Sequence, residues 1–415
     1  MRGGETIAVL APEPIRPRMA GMGIRALELA RALSSEFAVR LLVPNEASEA
    51  REVAGAIEVA RVTDGGLAGA ARGAAVAVVS GHAANAWFQQ APDVPVAADL
   101  YDPYPIENLH YARTLGEGTA RHDRASLALA LARADFFLCA SPEQRLFYAG
   151  ALFEAGRIGP RNFPEDPALE RLLAVVPFGA PETPARGDRE AGRRAAGVPV
   201  AGPLVLFGGI YDWYDPLLLL AADAWPAVKA RHPEARLLFF ENPNPKTTPQ
   251  GAFDRARRRA RELDPDGRSI FFSPWLPYAA RADLYAACDL AVSIAAKGLE
   301  TELAYRTRLL DAAWGGVPAV AVNGGSLARE LAAAGAAFEC PAEPAALASR
   351  ISEWLGDASA RASAGASARA FAASRTWKSV TAPLAAWCRA PRVDAGRLEA
   401  GRPAPAGSRW KRLFQ

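Results

Sequence analysis

The sequence predicts an α/β protein of two Rossmann-like, doubly wound domains facing a central cleft, and three observations carry that expectation. At 415 residues the chain exceeds the size at which a single core keeps growing, so two domains of roughly 200 residues each are expected. Short β-branched, aromatic or apolar runs alternate with longer Ala-, Leu- and Arg-rich segments of helical period, the succession that builds parallel sheets covered by helices on both faces. That succession runs through twice. The two runs are separated by 180–202, rich in Pro, Gly, Ala and charge and without a sustained period, which has the character of an interdomain linker.

In the first half the expected strands are 7–11, 38–43, 57–62, 75–80, 95–100, 136–140 and 173–177. In the second they are 204–208, 236–240, 270–273, 290–294, 319–322 and 336–339. From about 342 onward only helical pattern remains, over 342–355, 358–373 and 379–387, and such helices can pack back across the linker. The resulting division is a first domain over 1–190, a second over 191–378, a returning helix over 379–390 and a tail over 391–415. From Arg389 the chain is expected to be poorly ordered, with Arg409, Lys411 and Arg412 offering at most weak attraction to an anionic membrane surface.

Half of the residues are apolar and 22% are charged, an ordinary globular composition. A net charge of +3, with 48 basic residues dispersed among 45 acidic ones, leaves no nucleic-acid footprint. No apolar run approaches the roughly 20 residues of a membrane span, and residues 6–11 read as a strand and not as a signal-peptide core, so the cytoplasm is the default location. The four cysteines, Cys139, Cys288, Cys340 and Cys388, lie far apart with no metal or disulfide spacing, as buried, reduced, structural thiols do.

Four junctions concentrate chemistry. Gly21-Met22-Gly23-Ile24-Arg25-Ala26 opens a helix but follows a loop carrying Pro12, Pro14 and Pro17, which is not the geometry of a dinucleotide fingerprint. Its amides and the positive end of the helix dipole nevertheless suit a diphosphate. Asp99-Leu100-Tyr101-Asp102-Pro103-Tyr104-Pro105-Ile106-Glu107-Asn108 follows the fifth strand, where open α/β sheets bind ligands, so Asp102 is a candidate for one cleft wall. Gly208 and Gly209 end the first strand of the second half and permit close backbone approach to a ligand. After them Tyr211, Asp212 and Trp213 are free to face it, whereas Asp215 before Pro216 reads as a helix cap. The densest cluster runs from Lys297 through Glu300, Glu302, Arg306, Thr307 and Arg308 to Asp311. Arg306 and Arg308 near a helix start suit phosphates, Asp311 a ribose diol, and Glu300 sugar hydroxyls. Of the four histidines, His82 and His110 lie near the expected cleft. No metal-ligand spacing is present.

Glu300-Thr301, Tyr305-Arg306-Thr307-Arg308-Leu309-Leu310-Asp311 and Trp314-Gly315-Gly316-Val317-Pro318 together resemble glycosyltransferase family 4, a group of GT-B enzymes. The helix start at Ala20, the Asp99–Pro103 run, Ser141 with Gln144, Val176-Pro177-Phe178-Gly179 and Gly208-Gly209 with Trp213 extend the match in order along nearly the whole chain. The resemblance implies an acceptor domain followed by a donor domain. It also implies retaining glycosyl transfer from a nucleoside-diphosphate sugar, without a permanent cofactor or a metal, to a glycan or lipid-linked acceptor, commonly in cell-surface polysaccharide synthesis at the inner face of the membrane. On it, Glu300, Asp102 and Arg306 are the expected catalytic residues. Gly21, Gly23, Gly208, Gly209, Tyr211, Lys297, Thr307, Arg308 and Asp311 are the expected donor contacts.

Two positions depart from the family pattern. Its paired acidic residues stand eight apart, yet eight before Asp311 lies Leu303, so Glu300 or Glu302 must supply the first carboxylate. Its Arg and Lys after the first donor-domain strand are replaced by Tyr211, Asp212, Trp213 and Tyr214. A nucleotide-sugar epimerase and a non-catalytic GT-B subunit that binds a glycan or a partner are the alternatives.

Overall fold

The computed structural model describes residues 6–63, 65–242 and 248–398. Each half is a parallel sheet. The first contains β1 (Thr6–Leu10), β2 (Ala38–Val43), β3 (Glu58–Arg61), β4 (Ala74–Ser80), β5 (Val96–Asp99), β6 (Phe136–Cys139) and β7 (Leu173–Val175), in the order β3-β2-β1-β4-β5-β6-β7. The second contains β8 (Leu204–Gly209), β9 (Arg236–Phe240), β10 (Ile270–Ser273), β11 (Leu290–Ile294), β12 (Ala319–Val322) and β13 (Ala337–Glu339), in the order β10-β9-β8-β11-β12-β13. Every expected strand forms. The central strands read as continuous apolar runs because helices cover both faces of each sheet, and β8, β11 and β12 are buried along their whole length.

Strand order reverses between β1 and β4 and again between β8 and β11, and a crevice opens there beyond the carboxyl ends of the strands. The loops after β1, β5, β8 and β11 all issue into it. They carry the four junctions singled out in the sequence.

The stretch 180–202 is not all linker. Asp188 accepts from the Ala191 amide and caps helix Arg189–Ala196, which Gly197 closes in the left-handed conformation. That helix packs tightly on helix Arg281–Ala287: a Cβ on Gly192 would stand 2.0 Å from the Asp283 carbonyl oxygen. Arg193, 0% exposed, donates to the carbonyls of Ala287, Pro199 and Gly202. The irregular connection is therefore confined to the residues before Asp188, and these too are tied, Thr183 by Trp314 and Glu182 by the Lys378 amide.

Past the second sheet the chain returns. Ala180 exchanges backbone hydrogen bonds with Arg375 and Trp377, Trp377 packs on Phe178, and Trp387 of helix Ala382–Arg389 stacks on Phe136 at 5.3 Å. The expectation of disorder from Arg389 fails for the stretch up to 398. Arg397, 6% exposed, pairs with Asp135 at 2.6 Å and with Asp93, while Asp394 holds the buried Arg157 at 2.8 Å. Arg409, Lys411 and Arg412 lie outside the described residues. Among the described residues no helix is long and apolar enough to cross a membrane.

Candidate active site

Helix Thr307–Gly315 points its start at the crevice, and the short helix Leu299–Leu303 precedes it. Glu300 does not face open space, contrary to its expected role toward sugar hydroxyls. It is 2% exposed, and both its oxygens are held by Arg306, at 2.8 Å from Nη1 and 2.6 Å from Nη2. A carboxylate with no other charge partner cannot remain ionised in that position, so the arginine six residues on is drawn back onto it. The consequence for Arg306 is equally direct. Two of its nitrogens are committed, and only Nε, on a side chain 4% exposed, lacks a partner among the described residues.

Arg308 takes a different course. Its chain lies over the two glycines that end β8: a Cβ on Gly208, whose φ is +84°, would meet Arg308 Cδ at 3.0 Å. A Cβ on Gly209 would meet Trp275 at 3.1 Å and Arg308 Nη2 at 3.3 Å. Gly208 and Gly209 thus make room for Arg308 and Trp275, and not for the ligand backbone approach expected of them. Arg308 Nη1 donates to the Gly209 carbonyl at 2.9 Å, and the guanidinium sits 5.4 Å from the Tyr211 ring centre and 5.2 Å from that of Tyr214. These aromatic faces occupy the positions after β8 and hold a cation reached from β11.

The helix start at Gly21 is also already engaged. Glu13, on the Pro-rich loop after β1, accepts from the Gly23 amide, and Gly23 has no side chain to obstruct that approach. A carboxylate of the chain itself occupies the anion position at the positive helix end, which the sequence reading reserved for a diphosphate.

Asp102 and Glu107 line a cleft of about 740 Å³ together with Gly21, Tyr211, Trp213, Arg306, Thr307 and Arg308. The two carboxyls hydrogen-bond to each other. Burial pushes Asp102 up to about 6, with Asp99 and Glu300 adding to the rise, and burial then Asp102 push Glu107 well above the usual carboxyl range. Glu107 was legible only as one carboxylate of the 99–108 run; its partnership with Asp102 was not.

A second cavity, of about 850 Å³, shares Tyr214, Arg306 and Arg308 with the first and runs deeper between the domains. Its walls include Met19, Leu206, Phe240, Trp275 and Leu284, and Asp311 stands among them. Burial raises the Asp311 carboxyl above its ordinary value, opposed by Arg281, 3.8 Å away, and by Arg308. An apolar slot carrying one carboxylate beside Arg281, Arg306 and Arg308 suits a nucleoside better than a sugar.

The remaining candidates are elsewhere. Lys297 is exposed and lines neither cavity. Asp212 accepts from the Ala252 amide at 2.9 Å and caps helix Gly251–Leu263, leaving Tyr211 and Trp213, stacked at 4.9 Å, to face the cleft. Asp215 accepts from Leu218 as a helix cap, as its Pro neighbour indicates. His82 is held beside Asp123 and Ser126, and His110 rests edge-on to Trp213.

No family model matches the chain, and no curated protein sequence matches it. Among solved structures it is similar to Anabaena HepE in complex with UDP-glucose, at 17% identity over 92% of this chain and 99% of that one, with a TM-score of 0.67. It is likewise similar to sucrose-phosphate synthase from Thermosynechococcus elongatus, at 14% identity over 93% and 98% of the two chains, TM-score 0.64. A third likeness is to WaaG, a glycosyltransferase involved in lipopolysaccharide biosynthesis, at 16% identity over 91% and 98%, TM-score 0.57. The fold is accordingly GT-B along essentially the whole chain.

Proposed function

We propose that this protein transfers a glycosyl group from a nucleoside-diphosphate sugar to a hydroxyl of a glycan or lipid-linked acceptor. One observation carries the reading: Arg306, Arg308 and Asp311 converge from a single helix start on two joined cavities whose far wall is the Asp102 segment of the other domain. The solved structures it resembles include one with UDP-glucose bound, which supports the same ligand class.

In this arrangement the nucleoside enters the apolar slot beside Trp275, and Asp311 accepts the ribose hydroxyls. The diphosphate meets Arg308, the free Nε of Arg306 and the first amides of helix Thr307–Gly315. As the bond between the anomeric carbon and phosphate oxygen breaks, these fixed donors take up the developing charge, and no metal is needed for that task. The sugar then lies toward Asp102, Trp213 and Tyr214, and Glu300 acts on it only through Arg306. Retention of anomeric configuration and a role in cell-surface polysaccharide assembly at the inner face of the membrane follow the family resemblance.

The test is thermal stabilisation by a panel of nucleotide sugars and nucleoside diphosphates. A ligand at about 100 times its Kd adds about 2.7 kcal/mol, a shift easily read in a melting curve. If none of the panel raises the melting temperature, the reading is wrong. Asp311→Asn is expected to weaken the nucleoside diphosphate and the complete donor alike, because its partner is the ribose.

A further inference from the structure

The charges around the cleft do not balance for a doubly anionic ligand. Of the two cations that line it, Arg306 is neutralised by Glu300, and Arg308 forms no ion pair among the described residues. Arg25, on helix Gly21–Ser34 beneath the cleft, is committed to Asp99 by two hydrogen bonds of 2.6 and 2.8 Å. One unmatched positive charge therefore confronts two negative ones.

Asp102 and Glu107 supply another source. They lie on the same cleft wall, bonded to each other, with Asp99 of β5 and Glu300 of helix Leu299–Leu303 acting on them as like charges. Arg306 faces Glu107 with the opposite sign, and the buried Tyr148 of helix Pro142–Glu154 and Tyr104 of their own segment feel the Asp102 charge. Two carboxyls in such a setting do not both ionise readily, and the pair holds a proton between its members near neutrality. A further feature points to an anionic ligand here: Arg306, nearly completely buried, lines the same cleft, and its Nε has no acceptor among the described residues.

We propose that the donor's diphosphate is balanced in this cleft by a proton taken up on the Asp102–Glu107 pair, in place of a second free cation. The inference rests on the reading of the cleft as a nucleotide-sugar site. A dianion arriving beside the pair makes its remaining negative charge costlier, and a solvent proton neutralises it. Both carboxyls can then donate hydrogen bonds toward phosphate or sugar oxygens. Affinity is greatest at or below about pH 6, the value of free Asp102. Above that it falls, by at most about tenfold per pH unit, until the higher value of the liganded pair is passed.

UDP-glucose is the suitable probe, because its diphosphate diester has no proton to exchange near neutrality. Isothermal calorimetry on the intact chain at about pH 7, in buffers of unlike ionisation enthalpy, reads the uptake directly; roughly half a proton or more is expected in the wild type. The double variant Asp102→Asn/Glu107→Gln keeps shape and hydrogen bonding. It is expected to bind without uptake and with an affinity that no longer falls from about pH 5.5 to about pH 8. The single variant Asp102→Asn repeats the test should the double variant not fold. Zero uptake in the wild type, or uptake unchanged in a folded variant, overturns the proposal while leaving the site reading intact, since binding is seen. If UDP-glucose, GDP-mannose and ADP-glucose all fail to bind at any pH, the site reading fails and the proposal with it.

Discussion

Arg306 and Arg308 stand two residues apart at one helix start, yet their surroundings divide their work. Arg306 is held by Glu300, so Arg306→Ala strands a buried carboxylate and is expected to cost about 3–5 kcal/mol of stability. Arg308→Ala removes a cation that has no carboxylate partner; losing its bond to the Gly209 carbonyl is expected to cost only about 0.5–1.5 kcal/mol of stability while weakening a nucleoside diphosphate by about 1.5–3 kcal/mol. Melting curves and calorimetry on the two variants separate these outcomes, and equal stability losses would refute the division. Asp102 allows a second residue-scale prediction, from pH. Its folded value of about 6 lies above the ordinary carboxyl value, so the folded state binds the proton more tightly. Stability is therefore lost as pH rises from the ordinary carboxyl value to about 6, and Asp102→Asn should raise the melting temperature at about pH 8 far more than at about pH 4. An equal shift at both would remove the basis for a half-buried, proton-holding Asp102. The residue types of the site were legible because they crowd strand-to-helix junctions. Their partners were not, since Glu300–Arg306 and Asp102–Glu107 depend on how short loops fold, which no periodicity encodes.

Elements were legible wherever burial imposed a period. The central strands are apolar runs, because sheets covered on both faces leave no polar side to hide the pattern, while the edge strand β3, Glu58-Val59-Ala60-Arg61, is exposed at both ends. Helix Arg189–Ala196 escaped because its buried positions are Gly192, Arg193 and Ala196: backbone closeness and an arginine capping carbonyls, not an apolar stripe, hold it in place. The helix opening at Gly21 was read correctly as an element and incompletely as a site. Its first turn carries no acidic residue of its own, and Glu13 reaches in from a loop whose path could not be foreseen. Glu13→Ala is expected to destabilise the protein by about 0.5–2 kcal/mol, the range for loss of a helix cap, as read by chemical denaturation. An unchanged midpoint would mean that water serves the Gly23 amide as well as the carboxylate does.

At the scale of the whole molecule, two domains meet over the apolar slot through a small set of polar ties. Trp275 Nε1 donates to the Met19 carbonyl at 2.9 Å, the Tyr278 amide to Pro17 at 2.8 Å, and the Tyr278 hydroxyl to Glu28 at 3.0 Å. Across the other side Gln144, fully buried, donates to the Leu303 carbonyl at 2.6 Å. The Tyr278 tie is the informative one, because the same ring lies 3.7 Å under Arg281, which faces Asp311. Domain approach and the setting of the Asp311 carboxylate thus share one side chain. Tyr278→Phe keeps the ring beneath Arg281 and deletes only the bond to Glu28, which retains Arg31 at 2.7 Å, so a stability loss of no more than about 0.5–1.5 kcal/mol is expected. The larger effect should be on geometry. With one tie fewer, the connection before Asp188 is freer to open, and the free variant should show a larger radius of gyration than the wild type in small-angle X-ray scattering. A nucleotide sugar bridging both walls should return it to the wild-type value, because ligand contacts to each domain replace the lost bond. If the free variant and wild type scatter identically, the remaining ties suffice to hold the domains together and Tyr278 serves only to seat Arg281.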